Sequence, residues 1–223
     1  MSGRPSEPFA PWVRERLKFA GEREPVRIVS PPAPQHFRLS SILVPMWLDD
    51  EGRVKTLLTM RPANMGSHAG QISFPGGRVE PDDPTLLDTA LREAREEVGI
   101  DPASVEVLAR LDDHWSIHHF IVTPFVGWLE AEPRFVPEPS EIDRLIVADV
   151  EELMFGPHHQ VQRVSRFGVE WDAHEFLWQG DRIWGMTALV LRQMFLRILG
   201  EPVPEHELGA HSLARFLTAL QTD

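Results

Sequence analysis

Cysteine is absent from all 223 residues, which excludes disulfides, thiolate nucleophiles and cysteine-ligated zinc together. Long apolar runs are missing too. No stretch approaches the roughly 20 residues that span a bilayer, and the opening, with Arg4, Pro5, Glu7 and Pro8, lacks the apolar centre of a secretion signal. Neither a membrane partner nor export is expected, so the cytoplasm is the expected compartment. Basic residues are the third shortage: 22 Lys and Arg stand against 34 Asp and Glu, a formal net charge of −12. A general nucleic-acid binder carries a basic face, so no nucleic-acid partner is expected. An acidic chain still handles anionic substrates when bound cations supply the missing positive charge.

What remains is an ordinary globular composition, 42% apolar and 25% charged, with enough chain for one large domain and extensions. Residues 7–20 have Phe9, Val13 and Leu17 at helical spacing, and Pro31-Pro32-Ala33-Pro34 reads as a surface connector. Strands are expected at Ser40–Leu48 and Val54–Thr59, joined by a turn at Asp49 to Gly52. A loop from Pro62 to Gly70 leads to an extended piece, Gln71–Phe74, which Pro75-Gly76-Gly77 breaks. A strong helix follows at 84–98, then strands near 105–111, 120–128, 160–166 and 169–178, with helices near 148–154, 186–199 and 211–220. This order predicts an α/β fold, a mixed sheet flanked by helices in an α/β/α sandwich. The expected division is a helix and Pro-rich linker over 1–35, the main domain over 36–200 and a helical extension over 201–223.

The informative segment runs from Gly76 to Ile100. Asp83 suits an N-cap with Pro84 at the first helical position, and Gly99 suits the C-terminal stop. At about 100° per residue, Leu86, Leu87, Ala90, Leu91, Ala94 and Val98 cover one buried arc of roughly 140°. On the same wheel Glu93 and Glu97 fall within about 20° of Leu86, one above the other at the apolar stripe, while Glu96 turns roughly 80° away. Two carboxylates at i and i+4 repel each other, and near a helix C-terminus they also oppose the macrodipole. A hard divalent cation such as Mg²⁺ reverses that balance, because it takes oxygen ligands and tolerates clustered carboxylates. The alternative is a solvated acidic face partnered by Arg92 and Arg95.

Arg92-Glu93-Ala94-Arg95-Glu96-Glu97-Val98-Gly99-Ile100 resembles the second half of the Nudix box at every specified position. Counted from Gly77, the chain has one residue more than the usual box before Arg92, which leaves the distal acid open between Glu80 and Asp83. That insertion, together with Leu57-Leu58-Thr59-Met60-Arg61 and Gly70-Gln71-Ile72-Ser73-Phe74-Pro75-Gly76-Gly77, makes the chain similar to the coenzyme A pyrophosphatase branch. Gly66 stands where that branch usually has a second arginine.

The resemblance implies a Nudix-type fold and a Mg²⁺- or Mn²⁺-dependent diphosphatase. Glu93, Glu96 and Glu97, with the Gly77 carbonyl, would hold the ions. Arg92 would orient a glutamate, and Gly76 and Gly77 would admit the substrate closely. Coenzyme A or acyl-CoA would then give 3′,5′-ADP and (acyl-)phosphopantetheine. ADP-ribose or another nucleoside diphosphate derivative is the alternative substrate, and a nucleotide-sensing module that does not cut is the alternative class. Glu141 is the candidate general base, or else a solvated loop acid. Arg61 and Arg78 are candidate phosphate contacts, or else surface ion pairs; His68 is a candidate substrate contact, or else an ordinary loop histidine. His114, His118 and His119 suggest zinc, but strand alternation separates the last two. Trp171, Trp178 and Trp184 suit the core better than adenine stacking. The helix at 186–199 has an apolar face broad enough for core packing or a homodimer contact.

Overall fold

The computed structural model describes residues 4–27, 37–63, 70–116, 118–166, 169–204, 207 and 213. Among the described residues, four α-helices, α1 (Phe9–Gly21), α2 (Leu86–Val98), α3 (Val150–Phe155) and α4 (Met186–Leu199), are interspersed with eleven strands. These are β1 (Arg38–Leu48), β2 (Val54–Met60), β3 (Ile72–Ser73), β4 (Gly76–Arg78), β5 (Val105–Arg110), β6 (His114–Ser116), β7 (Phe120–Leu129), β8 (Arg144–Asp149), β9 (His159–Arg166), β10 (Val169–Trp178) and β11 (Asp181–Trp184).

The long strand β1 organises the main sheet. It runs parallel to β7 from Arg38↔Phe120 to Met46↔Trp128. Its other edge is shared between β2, at Met46–Leu48, and β4, at Ser40–Ile42, both antiparallel. Outside these, β3 and β8 pair with β2, and β5 and β6 pair with β7. Parallel neighbours need a long return path, and α2 lies on the stretch between β1 and β7.

Side-chain alternation along β1 then sorts the core into two layers. Leu43, Trp47 and Leu57 pack with Ala90, Ala94 and Val98 of α2 on one face. Val44, Met46 and Leu58 face the other way, into a cluster with Val13 and Leu17 of α1, Leu153 of α3, and Leu191, Met194 and Ile198 of α4. A second sheet, β11-β10-β9, contributes Phe176, Trp178 and Ile183 to that cluster. The result is a mixed sheet between helices, as the element order predicts. The apolar face of α4 is buried within the chain. Among the described residues no helix is long and apolar enough to cross a membrane.

Several local expectations need correction. The helix expected from Pro84 starts at Leu86, and Thr85, not Asp83, is its N-cap, accepting from the Asp88 N–H. A threonine cap leaves Asp83 free for a different contact, described below. The Gly76-Gly77 stretch does not break the chain out of the sheet but forms β4, because glycines alone let it lie against β1: a Cβ on Gly76 would come within 2.4 Å of the Ser41 carbonyl oxygen. The short strands β6, β8 and β11 carry no sustained alternation and are not apparent in the sequence. In the case of β8, the apolar run Leu145–Ala148 passes directly into α3, which begins after its Asp149 cap and not at residue 148. The helix expected at 211–220 lies outside the described residues.

The C-terminus of α2 is closed by Gly99 in the left-handed region, φ 76°, with its N–H on the Arg95 carbonyl. A Cβ there would also sit 3.2 Å from the Val136 side chain. Gly99→Ala is therefore expected to lower stability by about 1–2 kcal/mol, from backbone strain and crowding together. Urea unfolding with an unchanged slope measures it.

Candidate active site

Two of the three glutamates of α2 are pressed against the sheet. Glu97 is buried at 3% exposure. Its Oε2 accepts the Gly76 N–H at 3.0 Å, and its Oε1 lies 3.5 Å from Nη2 of Arg61. Burial pushes the Glu97 carboxyl up to about 7; Gly76 and Arg61 oppose the rise, and Glu93 and Glu141 add to it. One turn earlier, Glu93 is also raised by burial, against the pull of Arg92 and with the push of Glu96 and Glu141. Glu96 keeps 59% of its side chain exposed. The helical wheel therefore orders the three acids correctly.

Gly77 explains how Glu93 fits. A Cβ at that position would lie 2.4 Å from the Glu93 carboxyl carbon, so any larger residue displaces the carboxylate. Both glycines serve close approach, one to β1 and one to the acid.

Arg92 ties the group together. Nε and Nη2 donate to the two oxygens of Asp83 at 2.9 Å each, Nη2 also reaches the Arg78 carbonyl at 3.0 Å, and Nη1 reaches both Glu93 and Glu96 at 3.0 Å. Asp83 additionally accepts from the Glu80 N–H and the Thr89 hydroxyl, both at 2.9 Å. The Arg92 guanidinium holds the Asp83 carboxyl well below the usual carboxylate range. Of the two distal acids that spacing leaves open, Asp83 is the one that grips Arg92, while Glu80 contributes only backbone groups, its N–H to the Asp83 carboxylate and its carbonyl to the Asp83 N–H. The residue taken for a helix cap is thus an anchor for the arginine.

Glu141 arrives by a route that sequence pattern does not reveal. The last carbonyls of α2 have no partner within the helix. The Glu97 carbonyl accepts from the Glu138 N–H and the Val98 carbonyl from the Val136 N–H, each at 2.9 Å. This docks the 136–142 loop on the helix end, and a turn from Glu138 to Glu141 completes it. Glu141 is then close enough to raise both Glu93 and Glu97. Beside it, Pro62 and Ala63 face Pro139, Ser140, Ile142 and Asp143 across an open cleft of about 600 Å³. Arg61 and Glu141 adjoin its two walls in sequence.

Other candidates fall elsewhere. Arg78 is exposed, with its guanidinium carbon 5.2 Å from the Phe120 ring centroid. His68 and Gly66 lie outside the described residues. His114 is buried against Gln193 at 3.3 Å, and burial lowers its pKa. His119 sits on an exposed turn at φ 62°. Trp178 is core, donating to the Val147 carbonyl at 3.2 Å. Trp184 departs from the core expectation: it is 48% exposed, under the Arg182 guanidinium.

Among the described residues no three His, Asp or Glu side chains are already gathered as a metal cage, because Arg92 occupies Glu93 and Glu96 while Gly76 occupies Glu97. The donor set still fits a hard divalent ion. It is all oxygen, its carboxylates raise one another, and two of them are held away from solvent.

A NUDIX domain model matches residues 38–166. The Nudix hydrolase NudL of Pectobacterium atrosepticum, described as uncharacterized, is 34% identical over 165 residues, covering 74% of this chain and 85% of its own. The mitochondrial Nudix hydrolase 15 of Arabidopsis thaliana is 32% identical over 158 residues, 68% of this chain and 55% of its own. A solved MutT/nudix family protein from Enterococcus faecalis is similar with a TM-score of 0.48 at 16% identity, over 99% of this chain and 90% of that one.

Proposed function

This chain belongs to the NUDIX family, and on that footing we propose that it cuts the phosphoanhydride of coenzyme A or acyl-CoA, releasing 3′,5′-ADP and (acyl-)phosphopantetheine. The chain is a Nudix hydrolase, and such enzymes act on nucleoside diphosphate derivatives with divalent metal ions. The choice of substrate rests on one observation. The arginine of the Leu-Leu-Thr-x-Arg signature, Arg61, and the first glycine of Phe-Pro-Gly-Gly, Gly76, meet at the same side chain, Glu97. Two motifs that resemble the coenzyme A branch thus converge on the buried acid.

Phosphoryl transfer depends on positioning and charge neutralisation more than on covalent chemistry. When bound, Mg²⁺ or Mn²⁺ supplies that neutralisation and acidifies water; Glu93, Glu96, Glu97 and the Gly77 carbonyl are the groups that would hold it. Arg92, fixed by Asp83, orients Glu93 and Glu96 and acts as a positioning residue. Arg61 would donate to a phosphate oxygen of the substrate, and its planar fork suits that contact. Glu141 takes the proton of the attacking water at its carboxylate. The cleft between Pro62 and Pro139 receives the arm of the substrate leaving from the Glu97 end.

Turnover of coenzyme A, acetyl-CoA, ADP-ribose and NADH with Mg²⁺ or Mn²⁺ tests this reading. The expected outcome is the highest kcat/KM on the coenzyme A compounds, with all activity lost to a chelator. Preferential hydrolysis of ADP-ribose overturns the substrate, and turnover of none overturns the reaction.

A further inference from the structure

The cleft beside the acids is rooted on both sides at Glu97. Along β2, Leu57 packs on α2 while Leu58 faces the other layer. Alternation therefore puts Arg61 on the α2 side, where its Nη2 lies 3.5 Å from Glu97. Pro62 and Ala63 continue from it as one wall. The other wall, formed by Pro139, Ser140, Ile142 and Asp143, starts from Glu138, whose N–H is on the Glu97 carbonyl at 2.9 Å. The Asp143 N–H donates to the Met60 carbonyl at 2.8 Å and joins the two walls. A diphosphate over Glu93 and Glu97 thus has the cleft at its Glu97 end.

The lining is short of donors. Pro62 and Pro139 have no N–H. The N–H groups of Ser140, Ile142 and Asp143 are taken by the Glu138 carboxylate, the Glu138 carbonyl and the Met60 carbonyl, and the Ser140 hydroxyl also donates to Glu138, at 2.8 Å. Among the described residues none that lines the cleft carries a positive charge; the charged group there is the Asp143 carboxylate, an acceptor only. Arg144, next in the chain, is held by both oxygens of Asp181, at 2.9 and 2.6 Å. Such a surface offers little to a phosphate, which needs donors. It suits an uncharged chain with apolar stretches for Pro62, Ala63, Pro139 and Ile142 and an N–H for Asp143. Its volume, about 600 Å³, is within the range that takes a drug-sized ligand.

We propose that this cleft binds the phosphopantetheine arm of the substrate, and that Asp143 sets specificity by accepting an amide N–H of the arm and repelling anionic groups. The proposal rests on the reading of a coenzyme A-type substrate. Beyond its diphosphate the arm of such a substrate is uncharged and carries secondary amides, whereas the nucleotide end carries the 3′-phosphate. An adenine also has an N–H for Asp143, but it brings that phosphate to a lining short of donors. Asp143 takes no part in the bond cleavage.

Calorimetric titration with 4′-phosphopantetheine, 4′-phosphopantothenate and adenosine 3′,5′-bisphosphate, each with Mg²⁺, tests it. In the second probe a carboxylate replaces the terminal amide of the first. Wild-type protein is expected to prefer 4′-phosphopantetheine over 4′-phosphopantothenate by about tenfold or more, the scale of a charge-assisted contact. The preference shrinks in Asp143→Asn and reverses in Asp143→Lys. Ala63→Trp, which fills the cleft from an exposed position, weakens 4′-phosphopantetheine by about tenfold or more and leaves the bisphosphate unchanged. If that variant does not fold, Asp143→Asn, a conservative change at an exposed residue, carries the test. No preference in the wild type, an undiminished one in Asp143→Asn, or loss of the bisphosphate in place of 4′-phosphopantetheine in Ala63→Trp overturns the subsite. Turnover of coenzyme A separates the two readings. Turnover without binding that depends on Asp143 overturns the subsite and leaves the reaction, whereas Asp143-dependent binding without turnover leaves the subsite and overturns the reaction.

Discussion

Glu97→Gln is expected to reduce kcat by at least about 10²-fold, the scale on which a single preorganised electrostatic contact is lost from an active site, and at the same time to stabilise the metal-free fold at high pH. The two effects have one cause. Glu97 is buried where its charged form is disfavoured, and its carboxyl is pushed up to about 7. Between the ordinary glutamate value and 7 the folded chain holds a proton that the unfolded chain has released. Stability of the metal-free protein therefore falls as pH rises through that window and levels off above it. The fall is on the order of 3 kcal/mol for a displacement of this size. Glutamine carries no such charge, so the variant escapes the loss. Chemical unfolding of both proteins with chelator at pH 5 and pH 8 measures it: the curves should draw apart at the higher pH in favour of Gln. Parallel stabilities, or near-normal turnover of the variant, would contradict the assignment of Glu97. The same proton links ion binding to pH, since an ion that takes the carboxylate must displace it. Apparent metal affinity should rise up to about pH 7.

Arg92→Ala acts in the opposite sense on stability. It removes the partner of Asp83, whose side chain is only 6% exposed, and frees Glu93 and Glu96 from their shared donor. Leaving one member of a buried ion pair alone costs about 3–5 kcal/mol. Activity should drop about 10–100-fold through loss of orientation of the glutamates. A decrease in kcat with KM nearly constant, together with a large drop in unfolding free energy, is the expected pattern. Arg92→Lys should restore part of the stability but little of the rate, because an ammonium cannot reproduce the two-nitrogen grip on Asp83. Wild-type kcat in Arg92→Ala would refute the positioning role.

How much of this was legible in the sequence depends on the range of the contact. The arrangement of Glu93, Glu96 and Glu97 follows from helical period alone, and the structure keeps it: one buried, one half-buried, one exposed. The long strands β1, β2 and β7 follow from their apolar, β-branched runs. The role of Asp83 was not legible, because a residue just before a helix looks like a cap whether it bonds to the backbone or to an arginine nine positions on. Nor was the approach of Arg78 to Phe120, which depends on the parallel pairing of β1 with β7 and the antiparallel pairing of β1 with β4. Pairing of this kind is set by tertiary packing, and a one-residue slip would reverse which side chains share a face. Resemblance alone points to Glu141; its nearness to the acids comes from the docking of its loop, a backbone contact with no side-chain signature.

That docking has a consequence for how such a chain tolerates change in length. Because the amides of Val136 and Glu138 are fastened to the final carbonyls of α2, residues added or lost in the connection between Leu129 and Phe135 are absorbed upstream of the fastening. A single residue inserted between Glu138 and Glu141 is not absorbed. It would swing the acid around its turn and away from Glu97, while leaving the sheet and the helix unaltered.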